Sequence, residues 1–249
     1  MLIRNLPNFL TLCNLLSGCL GIQLLFSGFP LSASYCILLS GVFDFFDGMV
    51  ARALKVSSPI GKDLDSLADM VSFGVLPGFL AFHLLSANYD GGLFSGNDME
   101  GGLVNGAYLA YLGFLVPFFS AIRLAIFNHD TRQTDSFIGL PTPANAFFWC
   151  GLVVGLENGT WWLLAHPAII ALITILFSVL LVVPLEMFSF KMKSMGWKGN
   201  QLRYIFILMA VPVLVVLKVP GFAAVVVMFI LFSVFQSWLN KRKFADKEV

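Results

Sequence analysis

This chain predicts an all-α integral membrane protein of about eight transmembrane helices, with its N-terminus and C-terminus both cytoplasmic. Three observations carry that prediction. The composition is 58% hydrophobic and only 12% charged, with 26 Phe and a mean hydropathy of +0.87, far from soluble usage. Apolar runs of roughly 20 residues, the length that crosses a bilayer, recur along the sequence. The basic residues fall almost entirely on one side of the resulting topology.

The runs cover about 8–28, 31–54, 63–85, 104–128, 142–157, 166–188, 200–218 and 220–240. Pro30, Pro59, Pro141, Pro167 and Pro220 mark the breaks, where a residue without an amide proton stops or starts a helix. Leu16-Ser17-Gly18-Cys19 has the form of a lipoprotein cleavage box, but the chain stays apolar beyond it, so the segment reads as a mature helix. Of 15 Lys and Arg residues, only Lys218 falls on the outer side of an N-in arrangement; the other fourteen face the cytoplasm. The 86–103 loop, acidic and rich in Gly and Asn, lies outside and reads as a solvated connector. Cys13, Cys19, Cys36 and Cys150 show neither metal nor disulfide spacing and read as small core residues. His83, His129 and His166 have no partner at metal spacing. No nucleic-acid partner is expected; the partner is the lipid bilayer.

Against this apolar background, residues 44–70 read DFFDGMVARALKVSSPIGKDLDSLADM. Asp44 and Asp47 share one helical face, as do Asp65 and Asp69, because residues three or four apart are neighbours on a helix. The short linker at 56–59 makes the two helices antiparallel neighbours, so the acidic faces can converge. An Asp inside a membrane helix costs roughly 2.5–3.5 kcal/mol, and four without neutralisation cost on the order of 10 kcal/mol. Divalent cations remove that cost, and all-carboxylate ligation selects Mg²⁺, Mn²⁺ or Ca²⁺ over zinc. Two such ions roughly 3.5–4 Å apart form a clamp for displacement at phosphorus. Gly48, Ala51 and Gly61 leave room for a bulky ligand, while Arg52 and Lys62 offer cations for phosphate oxygens.

The pattern Asp44-x-x-Asp47-Gly48-x-x-Ala51-Arg52, eight residues, then Gly61-x-x-x-Asp65-x-x-x-Asp69 resembles the complete signature of the CDP-alcohol phosphotransferases. That resemblance implies transfer of a phosphoryl-linked group from a CDP-linked donor to an alcohol, with release of CMP. It implies a homodimer whose active site opens to the cytoplasm. By the same resemblance Asp44, Asp47, Asp65 and Asp69 bind two divalent metals, Mg²⁺ or Mn²⁺, with Ca²⁺ as a bound inhibitor. Asp69 doubles as catalytic base, and Gly48, Ala51, Arg52 and Gly61 line the CDP site.

Further stretches are similar to the bacterial phosphatidylserine synthase branch of that family: Leu6-Pro7-Asn8-Phe9-Leu10-Thr11-Leu12 with Asn14, Asp65 through Gly74 with Pro77, Phe137 through Ala144, and Phe188-Ser189-Phe190-Lys191. They imply CDP-diacylglycerol as donor and L-serine as acceptor; glycerol 3-phosphate or inositol phosphate is the alternative acceptor. Arg123 and Lys191 suit a serine carboxylate, or are interfacial side chains reaching for headgroups. Asn128 and Thr142 are candidate polar partners. Asn8, Thr11 and Asn14 recur on one helical face and contact either the CDP headgroup or a neighbouring helix. In the helix-four run the chain has Ile126 where that branch usually carries a second arginine. The expected organisation is one domain over 1–249, with a catalytic core of about 1–191 and added helices at about 200–240, in the cell's inner membrane. A cation transporter is the rival from another class, but it would spread its polar residues along a path across the bilayer.

Overall fold

A computed structural model describes residues 5–56, 58–86, 107–129, 137–187, 196 and 200–245. Its first helix, α1 (Leu6–Phe26), starts with Pro7 in its first turn and buries Thr11, Asn14, Ser17, Gly18, Gly21 and Leu25. Leu12, Leu16 and Leu20 point outward at four-residue spacing. Small and polar residues inside with large apolar ones outside is the arrangement of a helix solvated by lipid, where close backbone approach replaces hydrophobic burial.

Helix α2 (Pro30–Leu54) ends where Lys55 takes a left-handed conformation (φ 51°). The chain then turns at once into α3 (Pro59–Asp69), whose first turn is capped by Ser58 Oγ accepting from the Gly61 amide at 3.0 Å. A π-helical turn (Met70–Val75) joins α3 to α4 (Leu76–Ser86), giving one continuous rod from Pro59 to Ser86. Beyond it come α5 (Ala107–Ala110), a 3₁₀ turn, α6 (Leu115–His129), α7 (Thr142–Glu157), α8 (Pro167–Leu180), α9 (Gln201–Leu217) and α10 (Gly221–Ala245). Helix occurs in each of the eight expected intervals. Among the described residues, four segments are long and apolar enough to cross a membrane: Leu6–Phe26, Pro59–Ser86, Tyr108–His129 and Gly221–Trp238. The protein is therefore a multi-pass, mainly α-helical membrane protein.

The all-α class holds, with one short addition: β1 (Phe137–Ile138) pairs antiparallel with β2 (Glu186–Met187). One expectation is corrected: the sixth run stops being helix at Leu180. There the Leu140 amide takes the Leu180 carbonyl and the Gly139 amide takes that of Leu185, and Pro184 cannot donate to continue the ladder. Glu186 lies in β2. Among the cysteines only Cys150 is buried, and Cys19 is exposed.

The interior is held by contacts between narrow helix faces. Ser17 Oγ donates to the Cys36 carbonyl at 3.0 Å and Ser40 Oγ to that of Asn14 at 3.3 Å, tying α1 to α2. A Cβ on Gly18 would come within 2.8 Å of Ser72 Cα, so only glycine lets α1 lie this close to the π-helical turn. α7 runs through the middle and buries Trp149, Cys150, Leu152 and Val153 completely. The start of α1, the end of α2, the start of α3, the end of α6 and the start of α7 all meet at one end of the bundle, where the acids are.

Candidate active site

Asp44, Asp47 and Asp65 each place a carboxylate oxygen within 4.8 Å of the other two. α2 supplies the first pair, and the tight Lys55–Ser58 connection brings Asp65 of α3 against them. Asp47 is buried, and its Oδ2 accepts a 2.6 Å hydrogen bond from Thr11 Oγ1. Asp69 is one turn further along α3, and it does not belong to that triplet. It is 9% exposed, and its Oδ1 accepts from Asn14 Nδ2 at 3.0 Å. All four expected carboxylates line one cavity: three are mutually close, and the fourth, Asp69, is tied to α1. Oxygen donors this close suit a hard divalent cation, which would offset repulsion that no apolar surrounding can screen.

Two cavities of about 450 Å³ each flank the acids and share Asp47, Gly48 and Asp65 on their walls. The first is lined also by Asn8, Thr11, Ala51, Ser58, Gly61 and Lys62. A Cβ on Gly61 would reach within 3.2 Å of Asn8 Oδ1, narrowing this space. The second is lined by Asp44, Asp69, Arg52, Arg123 and Thr142, with Phe45, Leu124, Phe127, Pro141 and Pro143 completing its wall. Arg123 is 4% exposed, its guanidinium 5.2 Å from the Phe127 ring centroid in a cation–π contact. Asp63, two residues before Asp65 on α3, is exposed and lines neither cavity.

The structure thus parts the residues expected to bind CDP. Gly48, Ala51, Gly61, Asn8 and Thr11 line the first cavity, whereas Arg52 faces only the second. Among the expected acceptor residues, Arg123 and Thr142 line the second cavity and Lys62 the first. Asn128 lines neither. Its carbonyl accepts from Lys62 Nζ at 2.7 Å and its Nδ2 donates to Ser66 Oγ at 2.8 Å, so this trio clamps α3 to the end of α6. Lys191 and the Phe188–Lys191 stretch lie outside the described residues. Ile126 is 44% exposed and lines neither cavity, so the missing arginine would not have stood on either wall. Sequence reasoning missed Ser66, Phe45 and Phe127, whose only signal is their place one or four residues from a recognised position.

The residues Gly139–Pro143 are set beside the second cavity by the β1–β2 pair. Gly139 has φ 80°, and a Cβ there would lie 2.6 Å from the Leu181 carbonyl oxygen. Gly139→Ala is expected to cost about 1–3 kcal/mol through left-handed strain and this backbone clash. It should also displace Thr142. Thermal melting in detergent reads the first effect.

A family model of CDP-alcohol phosphatidyltransferases matches residues 4–183, nearly the whole of the region just described. The chain belongs to the CDP-alcohol phosphatidyltransferase family. Its acidic pair of helices and both cavities lie inside the matched region. Relatives of this CDP-alcohol phosphatidyltransferase include the CDP-diacylglycerol–serine O-phosphatidyltransferase of Helicobacter pylori (strain ATCC 700392 / 26695), 34% identical over 142 residues, or 56% of this chain and 53% of that protein. The protein of the same name from Bacillus subtilis (strain 168) is 33% identical over 142 residues, 55% of this chain and 69% of that protein. The one from Methanocaldococcus jannaschii is 33% identical over 149 residues, 60% of each chain. The chain thus spans about half the length of the Helicobacter relative it matches.

Proposed function

We propose that this protein transfers the phosphatidyl group of CDP-diacylglycerol to L-serine, giving phosphatidylserine and CMP. The observation that carries the reading is a group of three mutually close carboxylates, two of which, Asp47 and Asp65, lie on the shared wall of two cavities. One cavity would take the nucleotide and the other the acceptor, so that the two substrates meet at the acids. The names of the relatives support serine as the acceptor.

In this mechanism Gly48, Ala51 and Gly61 give the nucleotide close access to the backbones of α2 and α3. Asn8 offers its amide to the same ligand, and Lys62 contributes positive charge at the mouth. Two divalent cations, Mg²⁺ or Mn²⁺, held by Asp44, Asp47, Asp65 and Asp69, would supply fixed positive charge for the pyrophosphate and the leaving phosphate. Arg123 and Arg52 supply cations to the second cavity, where Arg123 would pair with the serine carboxylate and Thr142 would hydrogen-bond the amino acid. Asp69 takes the proton of the serine hydroxyl. The serine oxygen forms a bond to the phosphorus that carries diacylglycerol, and the bond from that phosphorus to the CMP oxygen breaks, its electron pair leaving with CMP. Phe45, Leu124 and Phe127 offer an apolar wall along which the lipid's glycerol backbone can lie.

The same reading includes a single domain over 1–249 with its catalytic core at about 1–191, and eight spans with both termini inside. It includes a homodimer in the inner membrane with the site facing the cytoplasm. The fourteen-to-one distribution of basic residues supports the orientation. Calcium is expected to occupy the cation site without supporting turnover.

The deciding experiment incubates purified protein with CDP-diacylglycerol and a panel of alcohols, with and without Mn²⁺ or Mg²⁺, and measures CMP. Serine should release CMP far above the water blank and above glycerol 3-phosphate or inositol phosphate. If serine releases no more than water while another alcohol does, the acceptor assignment fails and the reaction class stands.

A further inference from the structure

Asp69 differs from the other acids in how it is held. Asp47 and Asp65 line both cavities and Asp44 the second, and the three place carboxylate oxygens close together. Asp69 also lines the second, is nearly buried, and has Oδ1 occupied by Asn14 Nδ2 at 3.0 Å. Asn14 is fully buried and lines neither cavity, so it touches no substrate. Among the described residues its own Oδ1 has no hydrogen-bond partner. A membrane helix that hides an amide and leaves half of it unsatisfied loses stability by doing so. An apolar residue of similar size would avoid that loss, so the amide needs a reason beyond packing.

We propose that Asn14 is a positioning residue for the proton-accepting carboxylate. Its amide pins Asp69 Oδ1, which fixes the carboxyl plane and leaves Oδ2 to receive the hydroxyl proton of the acceptor alcohol. The inference rests on the phosphatidyl-transfer reading above and deepens it.

The geometry around Asn14 makes such pinning effective. The backbone carbonyl of Asn14 accepts from Ser40 Oγ, fixing α1 against α2. One turn further, Gly18 lets α1 sit against Ser72, three residues beyond Asp69 on the rod. One turn earlier, Thr11 binds Asp47. The register of α1 on both acidic helices is thus set on either side of Asn14, and the amide has little freedom to swing away. Thr11 and Asn14, three residues apart, serve different carboxylates: Thr11 binds Asp47, and Asn14 binds Asp69, the one read as the proton acceptor. Their removal should therefore be felt in different parameters.

The test compares Asn14→Leu, Asn14→Ala and Thr11→Val with wild type, each purified in detergent. CMP release is measured against serine, CDP-diacylglycerol and Mn²⁺ concentration, and melting temperature with and without Mn²⁺. Loss of an outer hydrogen-bond partner of this kind costs about 10- to 100-fold. For both Asn14 variants that loss should appear in kcat, with KM for CDP-diacylglycerol and the Mn²⁺-induced rise in melting temperature retained. Thr11→Val should instead raise the Mn²⁺ concentration needed for half-maximal rate. Should Asn14→Leu fail to survive solubilisation, Asn14→Ala carries the same comparison. An unchanged kcat in either folded Asn14 variant, or a fall in kcat matched by loss of Mn²⁺ stabilisation, overturns the proposal. If wild type itself releases no CMP with any alcohol, the phosphatidyl-transfer reading has failed instead.

Discussion

Asp69→Asn is expected to reduce CMP release by about 10²- to 10⁴-fold, the range contributed by a positioned general base, while the protein remains folded in the membrane. Asparagine has the same shape and can turn its amide oxygen toward Asn14 Nδ2, so the 3.0 Å bond that holds position 69 can survive. What is lost is the ability to accept a proton. The substitution also removes one buried negative charge from beside three others, which favours the folded state rather than opposing it. Melting temperature and elution from gel filtration should therefore match wild type. Substantial turnover in this variant would remove Asp69 from the role of base and return the question to Asp44 or Asp65, which line the same cavity.

Removal of divalent cations should have an effect of the same order. With chelator, CMP release should fall to the blank, and Mg²⁺ or Mn²⁺ should restore it. At an effective dielectric constant of about 20, two unit charges about 5 Å apart repel by roughly 3 kcal/mol. Asp44, Asp47 and Asp65 approach more closely than that, which makes three such pairs. A bound cation reverses the sign of this interaction, so the melting temperature should rise with added Mn²⁺ even in the absence of substrate. Zinc should restore little, since an all-oxygen group at this spacing offers none of the nitrogen or sulfur ligands that zinc prefers. Asp65→Asn should raise the Mn²⁺ concentration needed for both effects, because it takes a ligand from the shared wall of the cavities. Full activity in chelator would exclude the cation-assisted reading.

Much of this site could be read from the chain, and what could be read follows from local geometry. Spacings of three and four residues place Asp44 with Asp47 and Asp65 with Asp69 whatever the tertiary fold. A linker as short as Val56–Ser58 keeps the end of α2 near the start of α3, so the convergence of their acids was also legible, although the two helices pack on α1 rather than on each other. Contacts between segments distant in sequence were not. Asn14 stood out as polar in an apolar helix, but its partner is 55 positions away. Arg52 has the spacing of a CDP ligand and yet faces the second cavity. Asn128, a reasonable acceptor ligand by type, is engaged with Ser66 and outside both cavities.

The sequence by itself determined the membrane class, the positions of the helices and the pairing of the acids, because each depends on hydropathy and helical periodicity within one segment. Only the tertiary structure decided that Asp69 is tied to Asn14 of α1, that two cavities flank the acids, and that a short strand pair presents Thr142 to one of them. Those features depend on how closely α1 and α7 approach the acidic helices. That approach is set by the summed packing of small residues such as Gly18 against segments far along the chain, which no local pattern encodes.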